Sequence, residues 1–288
     1  MIPDEAQAQL EIRCRQAVEE LLAGEYLSVF KGRGIEFEDV RPYAPGDEVR
    51  SMDWKVTART GEPHVKRFIE ERDLTVYLLI DVSGSAGFGS QETTKMDACV
   101  ELAALIGYSA ISNHDRVGLV LFTETVEHHL PPAKGLLHLS RLLYEARHHQ
   151  PRSPGTNLSA PLDFLMHVAK KRAVVFLLSD FLAPDFREPL QIAAARHDVI
   201  AVSVMDRREV QLAPGSLVRV RDAESGKTAW LDTQNASFRE RFADSANRSA
   251  RDRAAALDEA GVDHFELGVG TDYVGALHAF LQARLQAH

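Results

Sequence analysis

Oxygen-bearing side chains stand at alternate positions directly after an apolar run: Asp81, Ser83 and Ser85. The run, residues 74–80, is rich in residues that favour strands, and it predicts a strand buried on both faces. In open parallel α/β sheets, ligands bind outside the carboxyl ends of the strands. Oxygen ligands with no sulfur or histidine beside them suit a hard cation such as Mg²⁺. The spacing therefore indicates a metal site used for binding.

Two later stretches also place oxygen-bearing side chains in loops. Thr156 lies in a loop over 153–158, and Asp180 follows the apolar run 173–179, which predicts another buried strand. Each residue also has an ordinary structural explanation, since the serines can cap the turn that follows them and Asp180 can cap the next helix. Taken together, the residues are expected to share one site.

From Asp73 onwards, apolar strands alternate with helices. This alternation is typical of a doubly wound, mostly parallel α/β sheet of the Rossmann-like kind. Predicted strands cover 74–80, 117–122, 173–179, 199–205 and 264–267, and predicted helices cover 95–112, 136–148, 159–170, 237–259 and 273–286. Two short strands, 217–220 and 228–231, predict an antiparallel hairpin within an insertion near 215–232. Residues 73–288 are expected to form one α/β domain.

Residues 1–72 are predicted to form an N-terminal helical and β extension that packs on this domain. A helix is expected over 5–22, and a short strand within 35–43. Trp54 stands among charged residues, and we expect it to pack on the main domain. Three arginines are expected to pair with nearby acidic residues: Arg41, Arg50 and Arg59.

The charge balance is acidic, with 33 Lys and Arg against 42 Asp and Glu and a net charge of −9. It argues against general nucleic-acid binding, which requires a basic face to contact phosphates. The polar start lacks the order of a signal peptide, and no apolar run approaches the ~18 residues of a membrane span. We therefore expect a cytoplasmic protein. Cys14 and Cys99 lie outside any CxxC spacing and are expected to be buried free thiols.

The oxygen-bearing loops together resemble the metal-ion-dependent adhesion site of the von Willebrand factor type A (vWA) domain. In that family a DxSxS loop, a threonine and an aspartate come from three separate loops. The matching positions occur here in the same order: Asp81, Ser83, Ser85, Thr156 and Asp180. The resemblance implies a vWA fold with Mg²⁺ as the cofactor, or Mn²⁺ or Ca²⁺ in its place.

The N-terminal part resembles the family catalogued as domain of unknown function 58. The segments that carry this resemblance are Glu36-Phe37, Arg41-Pro42-Tyr43, Pro45-Gly46-Asp47 and Asp53-Trp54-Lys55. Such proteins are commonly associated with MoxR-type AAA+ ATPases, so the resemblance implies a partner of that type. The implied role is that of an adaptor or assembly factor without catalysis of its own.

The ligand chemistry of such a site follows from the preferences of the cation. Mg²⁺ takes about six oxygens at roughly 2.1 Å and gives up water reluctantly. The neutral hydroxyls of Ser83 and Ser85 can bind it directly, and Thr156 can bind directly or through water. Asp81 and Asp180 can accept hydrogen bonds from bound waters or hydroxyls. A position left to water then suits a carboxylate from a partner protein, as in the adhesion sites that this chain resembles.

Two other interpretations remain open. A metal-dependent hydrolase of phosphoesters would use the same oxygens, although the haloacid-dehalogenase-like pattern requires an aspartate where Ser83 stands. Neither a GxSxG elbow nor a GxxxxGK[ST] phosphate loop occurs. A metal-free structural scaffold would instead use the N-terminal extension or the hairpin. Phosphoester turnover would favour the hydrolase, and metal-independent partner binding would favour the scaffold.

Overall fold

The structure is a computed structural model, and the residues it describes are 5–18, 26, 29–30, 35–45, 47–48, 51–70, 74–90 and 92–287. Its N-terminal part contains α1 (Glu5–Ala17), β1 (Ile35–Pro42), α2 (Trp54–Thr60) and β2 (His64–Glu70). β1 and β2 pair antiparallel as a separate two-stranded sheet. The strand expected within 35–43 is confirmed as β1. β2 was not anticipated.

Eight further strands follow in the rest of the chain. They are β3 (Thr75–Asp81), β4 (Arg116–Phe122), β5 (Val126–Ala133), β6 (Val174–Ser179), β7 (Asp198–Met205), β8 (Leu217–Arg221), β9 (Thr228–Asp232) and β10 (Asp263–Gly268). β8 and β9 form the antiparallel hairpin that the sequence predicts. The other six form a single central sheet in the order β10-β7-β6-β3-β4-β5.

The central sheet is parallel except at one edge, where β5 runs antiparallel to β4. β5 contains Pro131 and Pro132, which an edge strand tolerates because it has neighbours on one side only. β5 is not among the strands that the sequence predicts. The mostly parallel α/β sheet confirms the predicted fold class.

Helices cover both faces of this sheet. They are α3 (Lys95–Ser112), α4 (Leu136–His148), α5 (Ser159–Val168), α6 (Arg187–Arg196), α7 (Arg207–Val210), α8 (Ala236–Glu259) and α9 (Tyr273–Ala287). One apolar cluster joins α3, α4 and α9 to one face of the sheet, and a second joins α5, α6 and α8 to the other. This division is the doubly wound arrangement that alternating strands and helices predict.

The strands at the centre of the sheet are buried on both faces, as their unbroken apolar sequences predict. Every residue of β6 is buried, and so is every residue of β3 after Thr75. In register, Leu78 of β3 lies beside Leu119 of β4 and Phe176 of β6. The rigid centre therefore holds the carboxyl ends of β3 and β6 side by side.

The described N-terminal residues contribute side chains to the main core. Leu10 and Cys14 of α1, together with Tyr26 and Phe30, belong to the same apolar cluster as the inner residues of β3. The predicted helix extends to residue 22, and its last residues lie outside the described part of the chain. Cys14 and Cys99 are both buried and free, as expected.

The structure contradicts the prediction that Trp54 packs on the main domain. Its side chain is 65% exposed, at the start of α2, a two-turn helix that has no buried residue. The indole is thus mostly exposed to solvent and does not pack on the main domain. Arg41 forms the expected ion pair through two hydrogen bonds to Asp47, at 2.6 and 2.8 Å, whereas Arg50 lies outside the described residues.

Among the described helices, none combines the length and the apolar character needed to cross a bilayer.

Candidate metal site

Asp81 and Asp180 lie at the carboxyl ends of two neighbouring central strands. Asp81 is the last residue of β3, and Asp180 directly follows β6. The chain leaves β3 to form β4 on one side and later returns to form β6 on the other. Strand order therefore reverses at this point. The crevice beside such a switch point is where open α/β sheets bind ligands.

Asp81 is buried, and hydrogen bonds fix both of its carboxylate oxygens. The backbone N–H of Ser83 donates to Oδ1 at 2.9 Å, and the hydroxyl of Ser179 donates to Oδ2 at 2.7 Å. Burial raises the pKa of Asp81, the hydrogen bonds from Ser179 and Ser83 oppose this rise, and the carboxylate of Asp180 adds to it. The carboxylate is therefore held in one orientation.

The hydroxyls of Ser83 and Ser85 are adjacent, with their Oγ atoms 3.3 Å apart. Ser83 precedes the 3₁₀ turn Gly84–Gly87, but its side chain makes no capping hydrogen bond to that turn. The structural explanation by capping therefore does not hold for Ser83. Its Oγ atom instead lies beside the Oγ atom of Ser85.

Asp180 does not cap the next helix either, because the N-cap residue of α6 is Phe186. Its Oδ1 accepts a hydrogen bond from the backbone N–H of Leu182 at 3.2 Å. Its Oδ2 forms an ion pair with the Nζ atom of Lys95 at 3.0 Å, and both side chains are only 3% exposed. The carboxylate is thus held inside the protein next to a buried cation.

Lys95 lies in the first turn of α3 and contacts a second carboxylate. Its Nζ is 2.5 Å from Oε1 of Glu209 in α7. Burial lowers the pKa of Lys95, but the carboxylates of Asp180 and Glu209 outweigh burial, and the pKa is raised above its ordinary value. Lys95 is therefore an ammonium ion at neutral pH, and it ties α3 to the loop after β6.

Thr156 lies in a loop that packs directly against the serine loop. The backbone N–H of Gly84 donates to the carbonyl of Pro154 at 2.9 Å. The backbone N–H of Asn157 donates to the carbonyl of Thr123, at the end of β4, at 3.0 Å. Two backbone hydrogen bonds therefore hold the threonine loop against both neighbouring strand ends.

Glu127 organises the chain that leads into this loop, although it does not face the site. Its carboxylate accepts hydrogen bonds from the hydroxyl of Thr123 at 2.6 Å, from His149 at 2.7 Å and from the backbone N–H groups of Arg152 and Ser153. Burial raises the pKa of Glu127, yet these hydrogen bonds hold it below its ordinary value. Hydrogen bonds to this one carboxylate, and not regular secondary structure, thus hold the segment between α4 and Thr156.

A residue of the β8–β9 hairpin also reaches the site. The hydroxyl of Thr156 donates a hydrogen bond to Oε1 of Glu224 at 3.2 Å. Burial raises the pKa of Glu224, the hydroxyl of Thr156 opposes the rise, and the carboxylates of Asp180 and Asp81 increase it. Three carboxylates therefore lie close enough to interact electrostatically.

The structure brings the five residues expected to share a site to one edge of the sheet: Asp81, Ser83, Ser85, Thr156 and Asp180. A sequence model described as "Protein of unknown function DUF58" matches residues 39–252, which is more than half of the chain. The chain belongs to the DUF58 family. The resemblance to that family is thereby confirmed, and three of the four segments that carry it lie within the matched residues: Arg41-Pro42-Tyr43, Pro45-Gly46-Asp47 and Asp53-Trp54-Lys55.

Related sequences extend over almost the whole DUF58 chain. The uncharacterized protein Mb1516 of Mycobacterium bovis is 32% identical over 279 residues, which cover 96% of this chain and 87% of that protein. The uncharacterized protein Rv1480 of Mycobacterium tuberculosis has the same identity, 32%, over the same shares, 96% and 87%.

Solved structures show weaker similarity. An aerotolerance-related membrane protein from Bacteroides fragilis is 12% identical, with 75% of this chain and 100% of that chain covered and a TM-score of 0.47. The conserved hypothetical protein BatB from Bacteroides thetaiotaomicron is 13% identical, with 74% and 99% covered and a TM-score of 0.47.

The donor atoms at the DUF58 site are all oxygens, from three hydroxyls and two carboxylates. Such donors fit a hard cation such as Mg²⁺. The oxygens of Asp81 and Asp180 already have partners within the protein, so the hydroxyls of Ser83 and Ser85 are the groups best placed to bind a cation directly. Within the described ranges, no group of three or more His, Cys, Asp or Glu residues is arranged to hold a metal.

Sequence analysis missed three residues that shape the site: Lys95, Glu127 and Glu224. A lysine in the first turn of a helix is unfavourable for the helix dipole, and this was the signal available for Lys95. Glu127 offered no signal of its own. Glu224 lies in the predicted hairpin turn, but nothing local indicates what that turn contacts.

Proposed function

We propose that this DUF58 chain is a metal-dependent protein-binding module that uses Mg²⁺ at the β3–β6 switch point. The observation that carries the proposal is the convergence of three hydroxyls and two carboxylates from separate loops: Asp81, Ser83, Ser85, Thr156 and Asp180. The three neutral hydroxyls of this set supply oxygens without neutralising the charge of a divalent ion.

Each residue has a distinct part in this proposal. Ser83 and Ser85 bind the cation through their adjacent hydroxyls, and Thr156 adds a third hydroxyl from the neighbouring loop. Asp81 and Asp180 are held by their own hydrogen bonds and orient the groups that touch the cation. The bound cation supplies an electron-poor centre that accepts a carboxylate from a partner protein.

We further propose that the partner is a MoxR-type AAA+ ATPase and that the chain acts in the cytoplasm as its adaptor or assembly factor. The support for this partner is the family resemblance of the N-terminal segments and of the five site residues. Because the proposed contact is a carboxylate bound to a cation, chelation should release the partner.

Calorimetric titration with Mg²⁺ and Mn²⁺ tests the metal. The wild-type chain should bind one equivalent, and Asp81→Asn should bind much more weakly. This variant keeps the shape of the side chain, and the hydroxyl of Ser179 can accept a hydrogen bond from the new amide where it now donates one. Equal heats for the two proteins would contradict a metal site at Asp81.

Co-purification with a MoxR-type AAA+ ATPase, with and without a chelator, tests the partner. We expect the complex with Mg²⁺ present and its loss after chelation. Equal recovery in both conditions would favour a metal-free scaffold. Hydrolysis of a generic phosphoester that depends on Asp81 would favour the metal-dependent hydrolase.

A further inference from the structure

The strands of the β8–β9 hairpin are largely exposed to solvent. Leu217, Val218 and Trp230 are large apolar residues on its surface, and Trp230 is 63% exposed. Most residues of both strands are exposed. The strands of the hairpin therefore gain little from burial, and their position requires another explanation.

The turn of the hairpin has a defined shape. The carboxylate of Asp222 accepts hydrogen bonds from the backbone N–H of Ser225 at 2.6 Å and from its hydroxyl at 2.5 Å. The backbone N–H of Asp222 donates to the carbonyl of Lys227 at 2.8 Å, and that of Gly226 donates to the carbonyl of Asp222 at 3.0 Å. Gly226 has a φ of +69°, which glycine adopts without strain. Glu224 is thus presented from a fixed turn.

This turn packs onto the metal-site loops. A Cβ atom built on Gly84 would lie 2.5 Å from the carbonyl oxygen of Ala223 and 3.2 Å from that of Pro154. Glycine at position 84 therefore allows three backbone segments to meet. On the same side, Oε1 of Glu224 accepts the hydrogen bond from the hydroxyl of Thr156 at 3.2 Å.

The charge of Glu224 is poorly suited to this position in the protein alone. The carboxylates of Asp180 and Asp81 both act on it electrostatically. Like charges that share a site disfavour one another, and the cation Lys95 is engaged by Asp180 and Glu209. A divalent cation among the hydroxyls of Ser83, Ser85 and Thr156 would turn this repulsion into attraction.

We infer that Glu224 is an internal carboxylate ligand of the metal site, delivered by the β8–β9 hairpin. This inference rests on the proposed function. The hairpin fills the position that a partner's carboxylate would take, so that a partner must displace Glu224 in order to bind. Glu224 thereby occupies the metal site until a carboxylate of a partner protein displaces it.

The test compares Glu224→Gln with a matched control, Glu240→Gln, which removes an exposed carboxylate on α8. Calorimetric titration measures Mg²⁺ affinity, and hydrogen exchange of residues 217–232 is followed with and without Mg²⁺. Losing an outer partner of a metal ligand already costs ~10–100-fold in affinity, so the loss of a direct carboxylate ligand in Glu224→Gln should weaken Mg²⁺ binding by at least ~10-fold. Mg²⁺ should slow exchange in the wild-type hairpin and in Glu240→Gln, but not in Glu224→Gln.

The outcomes separate this inference from the proposed function. One outcome is that the wild type binds Mg²⁺, Glu224→Gln binds it equally or more tightly, and Mg²⁺ does not change hydrogen exchange in the hairpin. This outcome overturns the inference but leaves the metal site in place. Absence of Mg²⁺ binding in the wild type and in both variants overturns the inference and the metal site together. Weaker binding in Glu224→Gln alone, with loss of hairpin protection, supports the internal ligand.

Discussion

At the scale of single residues, Lys95 supplies the buried positive charge next to the candidate site. It lies between Asp180 and Glu209, and its own side chain is almost completely buried. An ion pair with little solvent access is costly to break from one side, because the remaining charge stays buried without a partner. Lys95 therefore holds the Asp180 loop in place.

Replacing Lys95 by methionine should strongly destabilise the fold. We expect Lys95→Met to lower the free energy of unfolding by about 3–5 kcal/mol, because Asp180 would be left buried without its cation. Urea denaturation followed by circular dichroism measures the change. The exposed Lys170→Met serves as the control and should stay within about 0.5 kcal/mol of wild type. Equal stability of the two variants would mean that Asp180 is not held by Lys95.

At the scale of elements, the helix α2 and the hairpin β8–β9 share a property that the core helices lack. Both present a large aromatic residue to solvent, Trp54 on α2 and Trp230 on β9. α2 is held by its ends: Asp53 accepts hydrogen bonds from two backbone N–H groups at the start, and Gly61 ends it with a φ of +78°. Capping and turn chemistry, more than apolar burial, therefore position α2.

Replacing Trp54 by alanine should leave the fold as stable as before. We expect Trp54→Ala to change the free energy of unfolding by less than about 0.5 kcal/mol, since the indole is mostly exposed. Val65→Ala, in the neighbouring strand β2, removes a buried side chain and should cost about 1–2 kcal/mol. Thermal and urea denaturation compare the two. A loss of several kcal/mol in Trp54→Ala would show that the indole is covered in solution.

At the scale of the whole molecule, apolar clusters join the sheet to helices on both of its faces, and buried ionisable groups couple the stability of the protein to pH. His197 joins α6 to β7 and is buried. Its Nδ1 accepts a hydrogen bond from the backbone N–H of Ala173 at 3.3 Å, and its Nε2 has no hydrogen-bond partner among the described residues. Burial lowers the pKa of His197, and the cations Arg196 and Arg172 lower it further.

Acidification should therefore destabilise the protein through His197. The unfolded chain takes up a proton near pH 6.5, whereas the folded chain resists it, so stability falls as the pH drops below about 6.5 towards the folded pKa. His197→Asn keeps a side-chain acceptor for the N–H of Ala173 and should flatten this dependence. One proton corresponds to at most about 1.4 kcal/mol per pH unit.

Urea denaturation between pH 7.5 and 5 measures this slope. The exposed His167→Asn is the control and should keep the slope of the wild type. A slope in His197→Asn that is as steep as in the wild type would assign the acid sensitivity to other groups, such as His129, whose pKa is lowered by burial and by His128.

The sequence by itself determined the features that depend on neighbouring residues. The apolar run before Asp81 predicts a buried central strand, the pattern over 95–112 predicts α3, and the DxSxS spacing predicts two hydroxyls beside a carboxylate. These predictions succeed because strand burial, helix periodicity and turn geometry are set within a few positions along the chain.

Only the tertiary structure decided which distant groups meet. Lys95 and Asp180 are 85 positions apart, and Thr156 and Glu224 are 68 positions apart. Trp54 was expected to pack on the main domain, yet the fold leaves it mostly exposed to solvent. The physical reason is that a local pattern specifies an element and its buried face, whereas contacts between loops depend on strand order and on how the hairpin turn packs against Gly84.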